Sequence, residues 1–382
     1  MRHFHSNLTP RIIHHHARNA LSGCLDWKPF RQSVSVTQLL DLLLRMAASA
    51  ASLFATVRRF FTFSHETASR AIKANLPDQD RLVAGLVGAL HDVLRFSRLD
   101  RRRHWLLGID IHNKAYYGQR TPYVVGGPKK QGTKWFFGYA TAVLLHKRRR
   151  YTVALCPLSP KQKPDDIVRI LLDQVAQKGL KIRGVALDSG FDSGEVLLLL
   201  QQRHLAYTIP LRRKGKGNNA RNRCFEGRHR LIRWVEWKTE RTHRLVHTRT
   251  FLWKGRAKTM VFAFRGWSGS RAMNLHEQAM RQRRLYRQRF GIETSYRQKN
   301  QAEATTTSRD PVYRLLLEGV AYLLRQVWVV LTEQIARSRH LKPGDWVGEL
   351  TLAMLLDWLA HALEDLYPEN RSIPLDFTSD TH

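Results

Sequence analysis

The sequence predicts a mixed α/β fold that carries a β-strand insertion and is flanked by helical regions at both ends. Three observations predict it. Between residues 104 and 211, short apolar runs bounded by turn signals alternate with amphipathic segments of helical period. Residues 212–270 open on a Gly-rich basic loop and continue in period-two alternation. Residues 37–100 and 311–366 carry apolar residues at helical spacing instead.

Residues 1–36 are polar and irregular, which predicts a flexible arm. His14, His15 and His16 are adjacent, so their side chains point different ways, as in a polar N-terminus rather than a metal site. Residues 37–103 form the helical N-terminal region. TQLLDLLLRMAASAASLFATVRRFF begins at a potential N-cap, Thr37, and DQDRLVAGLVGALHDVLRF repeats the pattern after Pro77. Between them SHETASRAIKA has the look of the short segment of a helix-turn-helix. The region reads either as a DNA-binding domain or as a helical cap on the next domain.

From residue 104 the period changes. HWLLGIDIHNKAYYG reads as a strand with Asp110 near its end, GTKWFFGYATAVLLHK as a second and RRYTVALCPLS as a third. KPDDIVRILLDQVAQKGL is an amphipathic helix entered after Pro164 and closed by Gly179. KIRGVALDSGF is a buried strand ending at Asp188. SGEVLLLLQQRH is a helix and LAYTIPL a fifth strand. This core occupies 104–211 and resumes at 271–310. The insertion, 212–270, begins with the loop LRRKGKGNNARNR and continues as antiparallel strands with turns near Glu240 and Lys254–Gly255. C-terminal helices are expected at 311–337 and 345–366, within a helical region 311–367, and a disordered tail at 368–382.

Composition narrows the function classes. The chain has 382 residues, 43% of them hydrophobic, with 64 Lys+Arg against 31 Asp+Glu, a formal charge of +33. Such an excess strains a compact chain unless a polyanion meets it, so nucleic acid is the first partner to consider. The two most apolar stretches are interrupted by Asp41 and Arg45, and by Glu318 and Arg325, which argues against membrane spans. No apolar run follows the basic N-terminal residues as in a signal peptide. Cys24, Cys156 and Cys224 are far apart, which argues against a disulfide framework and suits a reducing cytoplasm.

The chemistry concentrates in residues 285–300, LYRQRFGIETSYRQKN. At 3.6 residues per turn, Tyr286, Arg289, Glu293, Arg297 and Asn300 fall within about 80° of helical arc. That face holds one carboxylate among cations and no aliphatic residue. It reads as a site for metal and phosphate, or as a solvated basic helix with an intrahelical ion pair. Asp110 follows the apolar run WLLGI and Asp188 follows GVAL. Each taken singly reads as a turn or capping residue. Together with Glu293, they are three carboxylates from separate elements, able to hold two divalent cations for phosphoryl transfer. Asp192 is the nearest alternative to Asp188, and Glu303 to Glu293. Trp234, Trp237 and Trp253 in the insertion are either packing residues or faces on which an unstacked base can lie.

With these residues in view the chain resembles the DDE transposases of bacterial and archaeal insertion sequences, and its layout resembles their RNase H-like fold. Tyr286, Arg289 and Glu293 are similar to the first three positions of the YREK signature. Where that signature has its Lys this chain has Asn300, and Lys299 stands one residue early. The resemblance implies that Asp110, Asp188 and Glu293 are catalytic and hold two Mg²⁺ or Mn²⁺ ions. Tyr286, Arg289, Arg297 and Lys299 are expected to hold phosphate, and the +33 charge with the basic stretch 211–223 puts Arg212, Arg213, Lys214 and Lys216 on the DNA backbone. The resemblance also implies cut-and-paste cleavage of element ends, joining of their 3′-hydroxyls to target double-stranded DNA and a working homodimer, and the scattered cysteines add the expectation of a cytoplasmic location. A nuclease of the same fold without strand transfer, and a transposase-derived DNA-binding protein that has lost catalysis, are the alternatives.

Overall fold

The structure is a computed structural model that describes residues 7–97, 99, 103–146, 148–215, 217, 219–256, 258–266, 273–342 and 347–369. The chain divides into two compact units. One comprises residues 1–89, 299–328 and 348–382, the other residues 90–298 and 329–347.

The first unit is helical. It contains α1 (Pro10–Ser22), α2 (Val36–Ala48), α3 (Leu53–Phe60), α4 (His65–Asn75) and most of α5 (Gln79–Leu94). It also contains the first part of α11 (Pro311–Ser338), and α12 (Leu352–Leu366). Helix α1 replaces part of the expected arm. Thr9 caps it, Pro10 takes its first turn, and Ile13, Ala17, Ala20 and Leu21 form a buried stripe. His14 Nε2 lies 2.8 Å from Oδ1 of the fully buried Asp41, to which the Tyr367 hydroxyl also donates, at 3.1 Å. The expected single helix over 37–61 is broken. Ala50 takes a positive φ of 49° and Ser52 caps a new helix, α3. Helix α11 is apolar and long enough to cross a membrane, yet its apolar window is entirely buried. The expected tail lies, from residue 370, outside the described residues.

The second unit is built on a nine-stranded sheet. Its strands are β1 (Trp105–Ala115), β2 (Val125–Lys130), β3 (Thr133–His146), β4 (Arg149–Pro157), β5 (Ile182–Leu187), β6 (Ala206–Pro210), β7 (Ile232–Lys238), β8 (Leu245–Lys254) and β9 (Thr259–Arg265). The order is β2-β3-β1-β5-β6-β9-β8-β7, with β4 on β3. Strand β1 is antiparallel to β3 and parallel to β5, and β5 is parallel to β6. The parallel steps are made through α6 (Pro164–Gln177) and α7 (Gly194–Gln202). The short β2 is an addition to the expected order. The insertion is not a separate layer. Strand β9 pairs antiparallel with β6, so β7, β8 and β9 extend the core sheet, preceded by the short helix α8 (Ala220–Arg223). After the insertion come α9 (Leu275–Arg289) and α10 (Gly291–Lys299), separated at Phe290 where one helix was expected.

Gly85, in the middle of α5, shows what sets helix contacts in the first unit. A Cβ there would stand 1.8 Å from the Cys24 carbonyl oxygen, a backbone atom that cannot swing aside. Helix propensity alone favours Ala over Gly by about 1 kcal/mol. Overpacking a close contact costs about 1–3 kcal/mol or more, so the clash wins. Gly85→Ala is therefore expected to lower the urea midpoint. A raised midpoint would show that α5 does not approach Cys24 so closely.

Candidate active site

Strands β1 and β5 pair Leu107 with Val185, Gly108 with Ala186 and Ile109 with Leu187. One residue further along both strands come Asp110 and Asp188, side by side across a parallel pair. Glu293 arrives from the first turn of α10. That helix can lie close over β1 because Gly108 has no side chain: a Cβ there would meet Ile292 Cδ1 at 2.4 Å. Gly291 makes room in the same way for Arg150, whose Nη2 donates to the Gln288 carbonyl at the end of α9, at 2.5 Å. The Tyr296 hydroxyl, one turn after Glu293, donates to the Asp110 carbonyl at 3.1 Å and lies 2.8 Å from Thr141 Oγ1 on β3.

The three carboxylates meet at one guanidinium. Arg289 Nη1 donates to Asp110 Oδ2 at 2.8 Å, and Nη2 lies 3.3 Å from Asp188 Oδ1 and 3.6 Å from Glu293 Oε1. The Arg289 side chain is 4% exposed, those of Asp110, Asp188 and Glu293 11%, 33% and 55%. The site is thus closed at Asp110 and open to solvent at Glu293, the side from which a ligand can enter. Burial raises the Asp110 carboxyl to about 6; Arg289 opposes the shift and the Asp188 charge adds to it. Burial works against the Arg289 charge too, but Asp110, Tyr286 and Asp188 outweigh it and hold its proton more firmly than usual.

Among the described residues no three acid, imidazole or thiol groups are drawn in to metal-ligand spacing. The three carboxylates instead surround the position that Arg289 fills. As a donor set, three hard oxygens suit Mg²⁺ or Mn²⁺. In this arrangement the guanidinium supplies the positive charge that a cation would supply.

The other expected residues are dispersed. Arg297 is exposed, one turn beyond Glu293. Tyr286 is 4% exposed and packs edge-on against Phe262, so it supports the site from within. Lys299 departs from its expected phosphate role: it is fully buried, and its Nζ donates to Glu318 Oε1 at 2.6 Å and lies 3.4 Å from Glu303. That pairing also removes Glu303 as an alternative acid. Arg212 reaches the site; its Nε donates to Ser189 Oγ at 2.7 Å and its Nη2 lies 3.9 Å from Asp188 Oδ2. Arg213 is exposed and lies over Phe225, while Lys214 Nζ donates to the Asp192 carbonyl at 2.7 Å. Lys216 lies outside the described residues. Asp192 is buried, accepting from Arg221 Nη1 at 2.8 Å and the Arg212 amide at 3.0 Å. It ties down the basic loop and is no substitute for Asp188.

The three tryptophans differ. Trp237 is buried, with Arg221 over its ring, and Trp234 is 64% exposed. Trp253 is half-buried between His229 and Arg283. It pairs with Met260, two residues before the Phe262 that faces Pro210. Trp253 therefore lies at the end of the sheet where β6 finishes and Arg212 begins. Sequence reasoning missed Tyr296 and Arg150. Tyr296, three residues after Glu293, was legible only as a helix position. Arg150 looked like part of a basic turn and is 7% exposed.

The family described as Transposase DDE domain matches residues 115–305, half of the chain, taking in Asp188 and Glu293 and beginning just after Asp110. Comparison with curated proteins gives no match. Among solved structures the chain is similar to piggyBac transposase in a cryo-EM synaptic complex with hairpin DNA. The TM-score is 0.54 and the identity 13%, over 95% of this chain and 81% of that one. At that identity the likeness is one of fold, and with the β4-β3-β1-β5-β6 order it makes the core RNase H-like. The chain belongs to the transposase DDE domain family.

Proposed function

We propose that this chain is a DNA transposase that cleaves the ends of a mobile element and joins the freed 3′-hydroxyls to target DNA, cut-and-paste fashion. The observation that carries this reading is the convergence of Asp110, Asp188 and Glu293 on the single guanidinium of Arg289. In this reading the three carboxylates hold two Mg²⁺ or Mn²⁺ ions. Such ions, when bound, polarise the scissile phosphate and activate the attacking water or 3′-hydroxyl. Arg289 balances the acids when no metal is bound and turns to the phosphate when one is. Arg212 and Arg297, both exposed beside the acids, receive the DNA backbone. The similar piggyBac structure is a synaptic complex with hairpin DNA, which supports a DNA substrate, a paired assembly such as a homodimer, and a hairpin at the cut end. Cytoplasmic action on chromosomal DNA completes the reading.

Asp110→Asn, Asp188→Asn and Glu293→Gln should each lower cleavage of a labelled element end by orders of magnitude and leave DNA binding intact, because the ligands act as a unit. One variant that cleaves near the wild-type rate removes that residue from the ligand set. Strand-transfer products separate a transposase from a nuclease, and plasmid nicking separates either from a mere binder.

Metal binding should weaken as pH falls below about 6, since Asp110 must lose its proton to act as a ligand. The same shift has the opposite effect on the metal-free fold. Folded Asp110 holds its proton more tightly than the unfolded chain, so its contribution to stability declines as pH rises from about 4 to about 6. Mn²⁺ titration at several pH values, read by calorimetry, checks the first effect; a flat affinity between pH values of about 5 and 7 contradicts it.

In this reading Trp253, at the end of the sheet near Arg212, caps an unstacked base in a hairpin by exchanging the Arg283 guanidinium over its ring for the base, an interaction worth about 1–3 kcal/mol. Trp253→Ala that still melts cooperatively should yield less hairpin product on a denaturing gel, whereas Trp237→Ala should act through stability alone. Undiminished hairpin from a folded Trp253→Ala rules the indole out.

A further inference from the structure

The second unit carries a basic groove that the catalytic acids do not use. It opens where β5 and β6 begin, at the end of the sheet opposite the one that presents Asp188, and has a volume of about 1180 Å³. Strand β5 spans Ile182–Leu187, and at about 3.3 Å per residue its length sets the groove about 20 Å from Asp188. Arg183, Arg203, Arg249, Arg265 and three histidines line it, and among the described residues no carboxylate does. Two of the lining residues meet half-exposed acids at its edge: Arg203 pairs with Asp173 at 2.7 Å, and His247 lies 3.3 Å from Glu236.

The remaining charge is held against its own repulsion. Burial first, then the charges of Arg103 and Arg281, make the Arg183 guanidinium less basic than usual. Arg249 lies 4.7 Å from the ring centre of Trp234, and its buried Nε has no hydrogen-bond partner among the described residues. Arg265 donates to the Gln201 carbonyl at 3.3 Å. Trp234 itself stands 64% exposed in the groove lining, an indole that the core does not need.

We propose that this groove binds the phosphate backbone of duplex DNA, holding a segment distinct from the one being cut. The inference rests on the transposase reading and extends it to a second DNA-binding region on the same unit. Clustered cations that outnumber the acids beside them, here four arginines against the one carboxylate paired with Arg203, are the footprint of a polyanion. Single-strand channels combine cations with successive stacking aromatics, and Trp234 is the one strongly exposed aromatic in this lining, so a duplex fits better than a single strand.

Two measurements on the full chain test it. Arg249→Ala combined with Arg265→Ala should weaken binding to a labelled duplex of arbitrary sequence by about tenfold or more, by fluorescence anisotropy. The slope of log K against log[salt] should become shallower by about 2, at about 0.9 for each phosphate that is no longer neutralised. Because Arg265 also holds Gln201, a second variant is needed that leaves the arginines in place. Trp234→Cys carrying a photo-crosslinker serves, since Cys24, Cys156 and Cys224 are all buried and will not compete for the label. A cross-link to duplex DNA supports the groove. A cross-link only to protein, or only to single strands, overturns it, as do an unchanged affinity and slope. If the wild type binds duplex through the groove but cuts no element end in Mg²⁺, the transposase reading fails and the groove stands. If it cuts, and neither measurement changes, the groove fails alone.

Discussion

The second unit is arranged around one buried charge, the guanidinium of Arg289. Three carboxylates brought together repel one another, and Asp110, the most buried of them, would be costly to bury alone. Arg289 resolves this by meeting all three, and the surrounding structure exists to hold it there. The Arg150 side chain braces the end of α9, Gly291 leaves room for that brace, and Tyr296 ties α10 to the backbone of β1 beside Asp110. A guanidinium suits the role because it is planar, stays charged when buried and can reach several acceptors at once. Lys could meet one carboxylate well but not three.

Charge is distributed over this unit by purpose. The acids gather where β5 finishes: Asp188 follows its last residue, while Asp110 lies midway along β1, which runs on to Ala115 rather than ending near Asp110 as expected, with Arg212 and Arg297 exposed nearby. At the other end of the sheet, arginines collect in a groove that no carboxylate lines among the described residues. The formal charge of +33 is therefore more than a general attraction for polyanions, which would need no particular placement. On the proposed transposase reading, two separated basic regions on one sheet would let a single unit grip DNA in one place and cut it in another.

Much of this was legible in the sequence wherever a local signal existed. Apolar runs ending in Asp110 and Asp188 marked two buried strands; Asp188 marks the exit of β5, but β1 runs past Asp110 to Ala115, because its pairing with β3 continues where the apolar run stops. The spacing of Arg289 and Glu293 marked a shared helix face, and the 3.6 Å approach of their side chains survives the break at Phe290. What escaped depended on partners distant in sequence. Alternation in residues 228–267 identifies strands but not the β6–β9 pairing that joins them to the core sheet. Helix α1 was hidden because three histidines diluted its apolar stripe, and the acid that engages His14 is Asp41, 27 residues away. Lys299 looked like a phosphate ligand because nothing near it in sequence announces Glu318. Arg289 itself was legible as a cation beside an acid, but not as the hub of three.

The central claim is that the place Arg289 holds among the three carboxylates is a metal site in waiting. Anomalous scattering from crystals grown with Mn²⁺ and a pre-cut element end tests this most directly. Manganese peaks bounded by Asp110, Asp188 and Glu293 are expected, with the Arg289 guanidinium withdrawn from at least Asp110 and turned toward phosphate. Arg289 still bridging the three carboxylates, with manganese bound elsewhere or nowhere in the unit, would contradict it.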